Sequence, residues 1–251
     1  MRTVPLLVLA ALLTGGPSYA QGDIRDTAIA LVAISPSYAY QVPGGALADR
    51  FGANSHIGLS AYRKFRSNYF IGAEGGFLFG NKVHEPGLLR HVVNSMGQIV
   101  DKDGVMADVQ VLQRGYAIMG IAGKIMPVAG PNPNSGIMLK LGAGYLRHKI
   151  RIQTQENVVP NLEGDYLEGY DRLCAGPVGL FFVGYQHFGN RRRVNFFGGF
   201  EIMLGSTAPL RAFNFDTGRA ETGRRLDMLS ALRAGWTVPI HKRYDDRFHL
   251  Y

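Results

Sequence analysis

Apolar and polar residues alternate with period two along most of the chain. Between residues 69 and 80, Tyr69, Ile71, Ala73, Phe77 and Phe79 alternate with Gly72, Glu74 and Gly76. Between 136 and 152, Ile137, Leu139, Leu141, Ala143 and Tyr145 alternate with Lys140, Gly142 and Gly144. Val194, Phe196, Phe200, Ile202 and Leu204 are interleaved with Asn195, Gly199 and Glu201. Leu226, Met228, Leu232, Ala234, Trp236 and Val238 are interleaved with Asp227, Arg233 and Gly235. Successive side chains of a strand point to opposite faces, so each segment carries one apolar and one polar face. The pattern predicts eight strands, at roughly 28–40, 56–65, 69–80, 115–127, 136–152, 173–187, 194–205 and 226–239.

The connections add a second regularity. Long segments (41–55, 81–114, 153–172 and 205–225) alternate with short ones (66–68, 128–135 and 188–193). Sorting long loops to one end and tight turns to the other is expected of an all-β, closed, antiparallel, up-and-down transmembrane β-barrel of about eight strands. A soluble sandwich has no reason to do so. The apolar set then faces lipid and the polar set faces the lumen. Aromatic residues near the strand ends suit two interfacial girdles, with Tyr38, Tyr69, Phe79, Tyr185 and Trp236 as the main candidates and Tyr62 and Phe188 among the others. Pro36 and Pro177 interrupt this picture, because each removes a ladder donor, and a bulge or kink is expected at both.

Composition narrows the class further. The 251 residues include 33 Gly, 14 Phe and 12 Tyr, with only 18% charged, which fits a sheet protein with tight turns. A membrane-spanning helix needs about 20 apolar residues in a row. The longest uncharged stretch after the N-terminal region, Thr27 to Ala48, is broken by Pro36, Pro43, Gly44 and Gly45. Residues 1–20 read as a secretory signal peptide: Arg2, then the apolar run Val4 to Leu13, then Gly15-Gly16-Pro17 and Ser18-Tyr19-Ala20. Residues 21–251 are then the barrel domain. The lone Cys174 suits a small apolar strand residue.

Several clusters invite chemistry. Glu74, Lys124, Lys140, Glu201 and Arg233 are expected in the lumen. Buried charges have to be paired, so they suit a salt-bridged plug, with a proton path or narrow pore as the alternative. Glu163, Asp165, Glu168 and Asp171 lie in one loop and offer spaced carboxylates for a hard cation. Their spacing departs from an EF-hand, and the same segment also suits an ordered loop that pairs Asp171 with Arg172 or another base. A lipid hydrolase would need Ser and His together on the lipid-facing wall, and His148 has no serine two residues away. Arg191-Arg192-Arg193, Arg63, Lys64, Arg66 and His241-Lys242-Arg243 gather positive charge at the short-turn end, which suits anionic head groups rather than nucleic acid. No cofactor is implied.

The whole pattern resembles small outer-membrane barrels with OmpA-like or OmpW-like transmembrane domains. Gly164-Asp165-Tyr166, Gly169-Tyr170-Asp171-Arg172-Leu173, Asn190-Arg191-Arg192-Arg193-Val194-Asn195-Phe196 with Gly199-Phe200-Glu201, and Ser35-Pro36-Ser37-Tyr38-Ala39-Tyr40 also resemble a family of uncharacterised outer-membrane proteins from Bacteroidota. The resemblance implies a barrel in the outer membrane and assigns no site roles. The reading that follows is a non-enzymatic anchor, scaffold or binding protein with long external loops. Its partners would be outer-membrane lipids and a protein at the loops or turns. A small pore or a lipid-modifying enzyme are the alternatives.

Overall fold

The computed structural model describes residues 25, 27–155, 158–191 and 194–240. Residues 1–20, which the sequence reads as a signal peptide, together with Arg192, Arg193 and the C-terminal residues from His241, lie outside the described residues. The strands are β1 (Leu31–Gly45), β2 (Asn54–Lys64), β3 (Tyr69–Gly80), β4 (Asp108–Met126), β5 (Gly136–Gln155), β6 (Cys174–Phe188), β7 (Asn195–Pro209), β8 (Arg225–Trp236) and β9 (Val238–Ile240). One short helix, α1 (Ala46–Arg50), follows β1, and two 3₁₀ turns, Pro160–Leu162 and Gly164–Gly169, lie between β5 and β6.

From β1 to β8 each strand pairs antiparallel with the next, and β1 closes the ring by pairing with β2 on one side and with β8 and β9 on the other. β8 and β9 form one stave. Both keep the same register against β1 and are separated only at Thr237, near Pro36. The result is a closed, eight-staved, antiparallel barrel.

The stagger can be followed through inward-facing residues. Ser35 pairs with Ser60, Ser60 with Glu74, Glu74 with Met119 and Met119 with Gly144. The path continues through Val178, Gly205 and Asp227 to Gly45, ten residues beyond its start on β1. Such a stagger tilts the staves and leaves a lumen that side chains can fill.

The period-two pattern places its residues as expected. Ile71, Phe77, Leu141, Phe200, Leu226 and Leu232 face outward and are exposed, while Glu74, Lys140, Glu201 and Arg233 are buried. The turn at Arg66-Ser67-Asn68 closes because Asn68 adopts the left-handed region (φ 62°) and donates its backbone N–H to Phe65. At Gly136 (φ 154°) a Cβ would lie 1.9 Å from the Met126 carbonyl oxygen, so only glycine fits where β5 begins.

Three expectations need correction. The first long loop is only eight residues, 46–53, because β1 runs on to Gly45, and the turn 127–135 has nine. The alternation of lengths is therefore not strict, although all four loops still share one end. β4 starts at Asp108, seven residues before the expected strand, and rises with the end of β5 above the other staves. The apolar alternation is interrupted at Leu112-Gln113-Arg114, but the ladder pairing with β5 is not. Neither proline adds a residue: registers are conserved across Pro36 and Pro177, and only local ladder pairing is lost. Both sites are gaps rather than bulges.

Candidate functional site

The middle of the lumen holds a closed network of charges. Arg233, on β8, is its hub. Its Nε lies 2.8 Å from Glu201 Oε2, and its Nη2 donates to Glu201 Oε1 at 2.8 Å. Its Nη1 lies 3.2 Å from Glu74 Oε1 and donates to Ser37 Oγ at 3.0 Å. Lys140 donates to Glu74 Oε2 at 2.5 Å and sits 5.1 Å from the centre of the Phe182 ring. Arginine has no acceptor, so His56 Nδ1, 3.0 Å from Arg233 Nη2, accepts, and its proton sits on Nε2. Space for this is made by small residues: at Gly76 a Cβ would fall 2.6 Å from the His56 ring. Two carboxyl groups meet one guanidinium and one lysine side chain, and all four side chains are buried. Pairing of this kind is what a low-dielectric interior requires.

Four of the five expected lumen charges are therefore brought together, and Lys124 is not. In β4 the odd-numbered residues Ala117, Met119, Ile121 and Ile125 point inward. Lys124 consequently faces outward, with its ammonium 4.5 Å from the centre of the Tyr69 ring and 3.3 Å from Tyr69 Oη. His56 and Ser37 are members that the sequence reading missed. Strand parity counted from Glu74 through the β2–β3 register would have found His56.

Below this layer the lumen is aromatic. Tyr62 packs on Phe70 (ring centres 5.2 Å apart) and Phe182 on Phe197 (5.9 Å). Tyr62 and Phe188 are thus core residues, not girdle residues. The short-turn end is closed by the turn 127–135, which folds inward. Asn134 Oδ1 accepts from buried Lys64 Nζ at 2.8 Å and from the Ile29 backbone N–H at 2.9 Å. Asn132 and Ser135 both donate to the Phe188 carbonyl.

Above the network, His148 faces the lumen, so it is not a lipid-side residue. Its Nε2 lies 2.9 Å from Asp227 Oδ2, which also accepts from Thr207 Oγ1 at 2.5 Å. Phe51 meets the His148 ring edge-on at 5.7 Å. Leu47, Phe51, Leu88, Val159, Leu162 and Tyr170, drawn from the long loops and α1, are buried over this end of the barrel. Arg50 ties the cap together by pairing with Glu85 and, at 2.9 Å, with Glu221. Burial opposes the charge on Arg50, but the two carboxylates hold its pKa above the ordinary value. Burial likewise opposes the charge on Glu221, yet Arg50 and Arg225 hold its carboxyl below the usual range.

The loop carboxylates are not gathered around a common point. Asp171 accepts both forks of Arg211, at 2.9 and 2.7 Å, and lies 3.3 Å from Lys149. Glu168 pairs with Arg211 at 2.6 Å. Arg172 pairs instead with Asp216 at 2.5 Å. Tyr170 packs edge-on against Phe215. Glu163 and Asp165 begin the second 3₁₀ turn. Among the described residues no group of three or more His, Cys, Asp or Glu is arranged to hold a metal. Asp171 is thus paired with Arg211 rather than with Arg172.

The outer wall carries the expected aromatics. Tyr38, Tyr69, Phe79 and Trp236 are exposed and outward-facing. Tyr185 is half-buried and donates to the Ala129 carbonyl at 3.0 Å.

No family model and no curated protein matches the sequence. Among solved structures, Neisserial surface protein A aligns over 83% of this chain and 97% of its own, at 11% identity and a TM-score of 0.46. Ail from Yersinia pestis, in complex with the heparin analogue sucrose octasulfate, aligns over 83% and 99% at 10% identity and 0.39. OprG from Pseudomonas aeruginosa aligns over 86% and 98% at 10% identity and 0.37. All three are small outer-membrane barrels. The likeness is coarse, and the resemblance to a Bacteroidota family is not confirmed by it.

Proposed function

We propose that this chain is an integral outer-membrane barrel that acts without catalysis, as an anchor or binding protein working through its capped, long-loop end. The observation that carries the reading is the reversal of polarity across the wall. Ile71, Leu141, Phe200 and Leu232 face outward and exposed, while Glu74, Lys140, Glu201 and Arg233 are sealed inside. In water this arrangement would expose a large apolar surface. In a bilayer it satisfies the wall and, through ring closure, every ladder group.

Binding rather than transport is favoured by what fills the lumen. The Arg233 network, the aromatic layer, the inward-folded turn and the loop cap stand in series along the axis. Functional surfaces on rigid scaffolds commonly lie on loops, and the loop 81–107 is the longest here.

Refolding into lipid vesicles tests the membrane reading. A heat-modifiable band and protection of the staves from protease are expected, and a water-soluble product that never partitions would overturn it. Excising residues 86–105, which leaves β3 and β4 whole, tests the binding reading. Insertion should survive while capture of a partner at the cell surface is lost. In planar bilayers the intact protein should conduct almost nothing, and a steady open conductance would favour the pore reading instead.

A further inference from the structure

The wall is not uniform around its rim. On the outward face of β4 and β5, just beyond the aromatic residues Tyr116 and Tyr145, stand Arg114, Arg147, Lys149 and Arg151. Arg114 is directly opposite Lys149, and Tyr116 is opposite Arg147. Arg147 and Arg151 are therefore the two diagonal neighbours of Arg114. Like charges placed across a strand pair repel one another and destabilise the pair.

Internal anions relieve little of this. Arg114 donates to the backbone carbonyls of Gln113, at 2.7 Å, and Gly80, at 3.5 Å. Lys149 reaches Asp171 at 3.3 Å, but Asp171 is already held by both forks of Arg211. Arg147 and Arg151 have no carboxylate partner among the described residues. Outward-facing Val42, Ser55 and Pro177 are uncharged, and Ser206 on β7 meets a single exposed cation, Arg224, at 3.4 Å. The crowding of four cations on two adjacent staves is thus a local feature of β4 and β5.

We infer that this sector is a binding site for the phosphate-bearing head group of a lipid in the outer leaflet. The inference rests on the reading of the chain as a membrane barrel and goes beyond it by naming a place and a ligand chemistry. The vertical order of chemistry fits such a lipid. Directly beneath the cations, Ile118 and Leu141 are among the most exposed apolar residues of the wall, and between them Gly120 lies opposite Ala143. Acyl chains would lie on that smooth apolar surface, the tyrosines at the polar boundary, and the phosphates among the guanidinium groups. Arginine forks match phosphate oxygens in geometry and charge.

The test uses the full chain refolded in nanodiscs. Wild type and the triple variant Arg114→Gln, Arg147→Gln, Arg151→Gln are compared by native mass spectrometry. The probes are bisphosphorylated lipid A, the same lipid enzymatically dephosphorylated, and inorganic phosphate. The wild type should retain the phosphorylated lipid, and the triple variant should retain it at least about tenfold less. A purely structural role is separated by sign: removing mutually repelling charges should leave the variant as stable as wild type in zwitterionic detergent, or more so. Equal retention of the two lipids, or equal retention by variant and wild type, overturns the site. Displacement of the lipid by inorganic phosphate with no dependence on acyl chains overturns the lipid assignment. Failure of the wild type to insert at all overturns the barrel reading together with this one; normal insertion without phosphate selectivity overturns this one alone.

Discussion

The same two residue types, arginine and lysine, are handled in opposite ways in two regions a few residues apart. In the mid-lumen, Arg233 and Lys140 are locked between Glu74 and Glu201. On the outer rim of β4 and β5, Arg114, Arg147, Lys149 and Arg151 crowd together with little internal compensation. The contrast follows from what each region touches. The lumen is sealed, so an unpaired charge there would have no solvent and no mobile ion to answer it. The rim touches water and, in a bilayer, the head-group layer, where anions come from outside. Pairing inside therefore specifies the fold, and lack of pairing outside leaves affinity free for a ligand.

Breaking the inner half of the comparison should have the largest effect. Arg233→Ala strands Glu201 and half of Glu74 in the lumen, and should cost about 3–5 kcal/mol in urea unfolding from vesicles. Pairing it with Glu201→Leu should recover much of that loss, since the penalty is the orphaned charge. Next comes the short-turn end. Asn134→Ala removes the side-chain acceptor of buried Lys64 and leaves it the Ile29 carbonyl, a loss of about 1–3 kcal/mol by the same measurement.

The cap offers a pH-dependent version. The Glu221 carboxyl is held below its ordinary value in the folded protein, so its contribution is full above about pH 4.3 and is lost as pH falls through the lowered folded value. Hydrogen exchange, corrected for intrinsic rates, should show loop 210–224 losing protection on acidification while the staves stay protected. Simultaneous loss everywhere would mean that the cap and barrel are one cooperative unit. The smallest effect belongs to the cation that faces outward at the opposite rim. Lys124→Gln removes only an exposed contact with Tyr69, and should change stability by less than about 1 kcal/mol.

Much of the barrel was legible in the chain, because period two and turn placement are local properties. Strand β3 agrees with its expected bounds to the residue, and Phe77 and Glu74 fall on opposite faces as read. Lys124 was misplaced for an instructive reason. Ile121-Ala122-Gly123-Lys124 has two small residues, so its parity is ambiguous until it is counted from buried Met119 or Ile125. The start of β4 was missed because Leu112, Gln113 and Arg114 interrupt the alternation that Val109 and Val111 begin with Asp108 and Gln110. The cap, the Asn134 plug and the His148–Asp227–Thr207 cluster join residues far apart in sequence, such as the pair His148 and Asp227, 79 positions apart. Only the register of the closed sheet brings them together. For Asp171 the sequence offers Arg172 or another base; the partner is Arg211, which arrives from a different loop, while Arg172 pairs with Asp216.

Trp236 is the only tryptophan in the chain, and it faces outward at the short-turn rim of the wall. Its fluorescence in vesicles whose lipids carry bromine at defined depths therefore reports directly on whether that wall meets lipid. Strong quenching, greatest for bromine near the head-group end of the acyl chains, is the result that a membrane-spanning barrel gives. Emission that stays unquenched at every depth, in protein shown to be folded, would contradict the account.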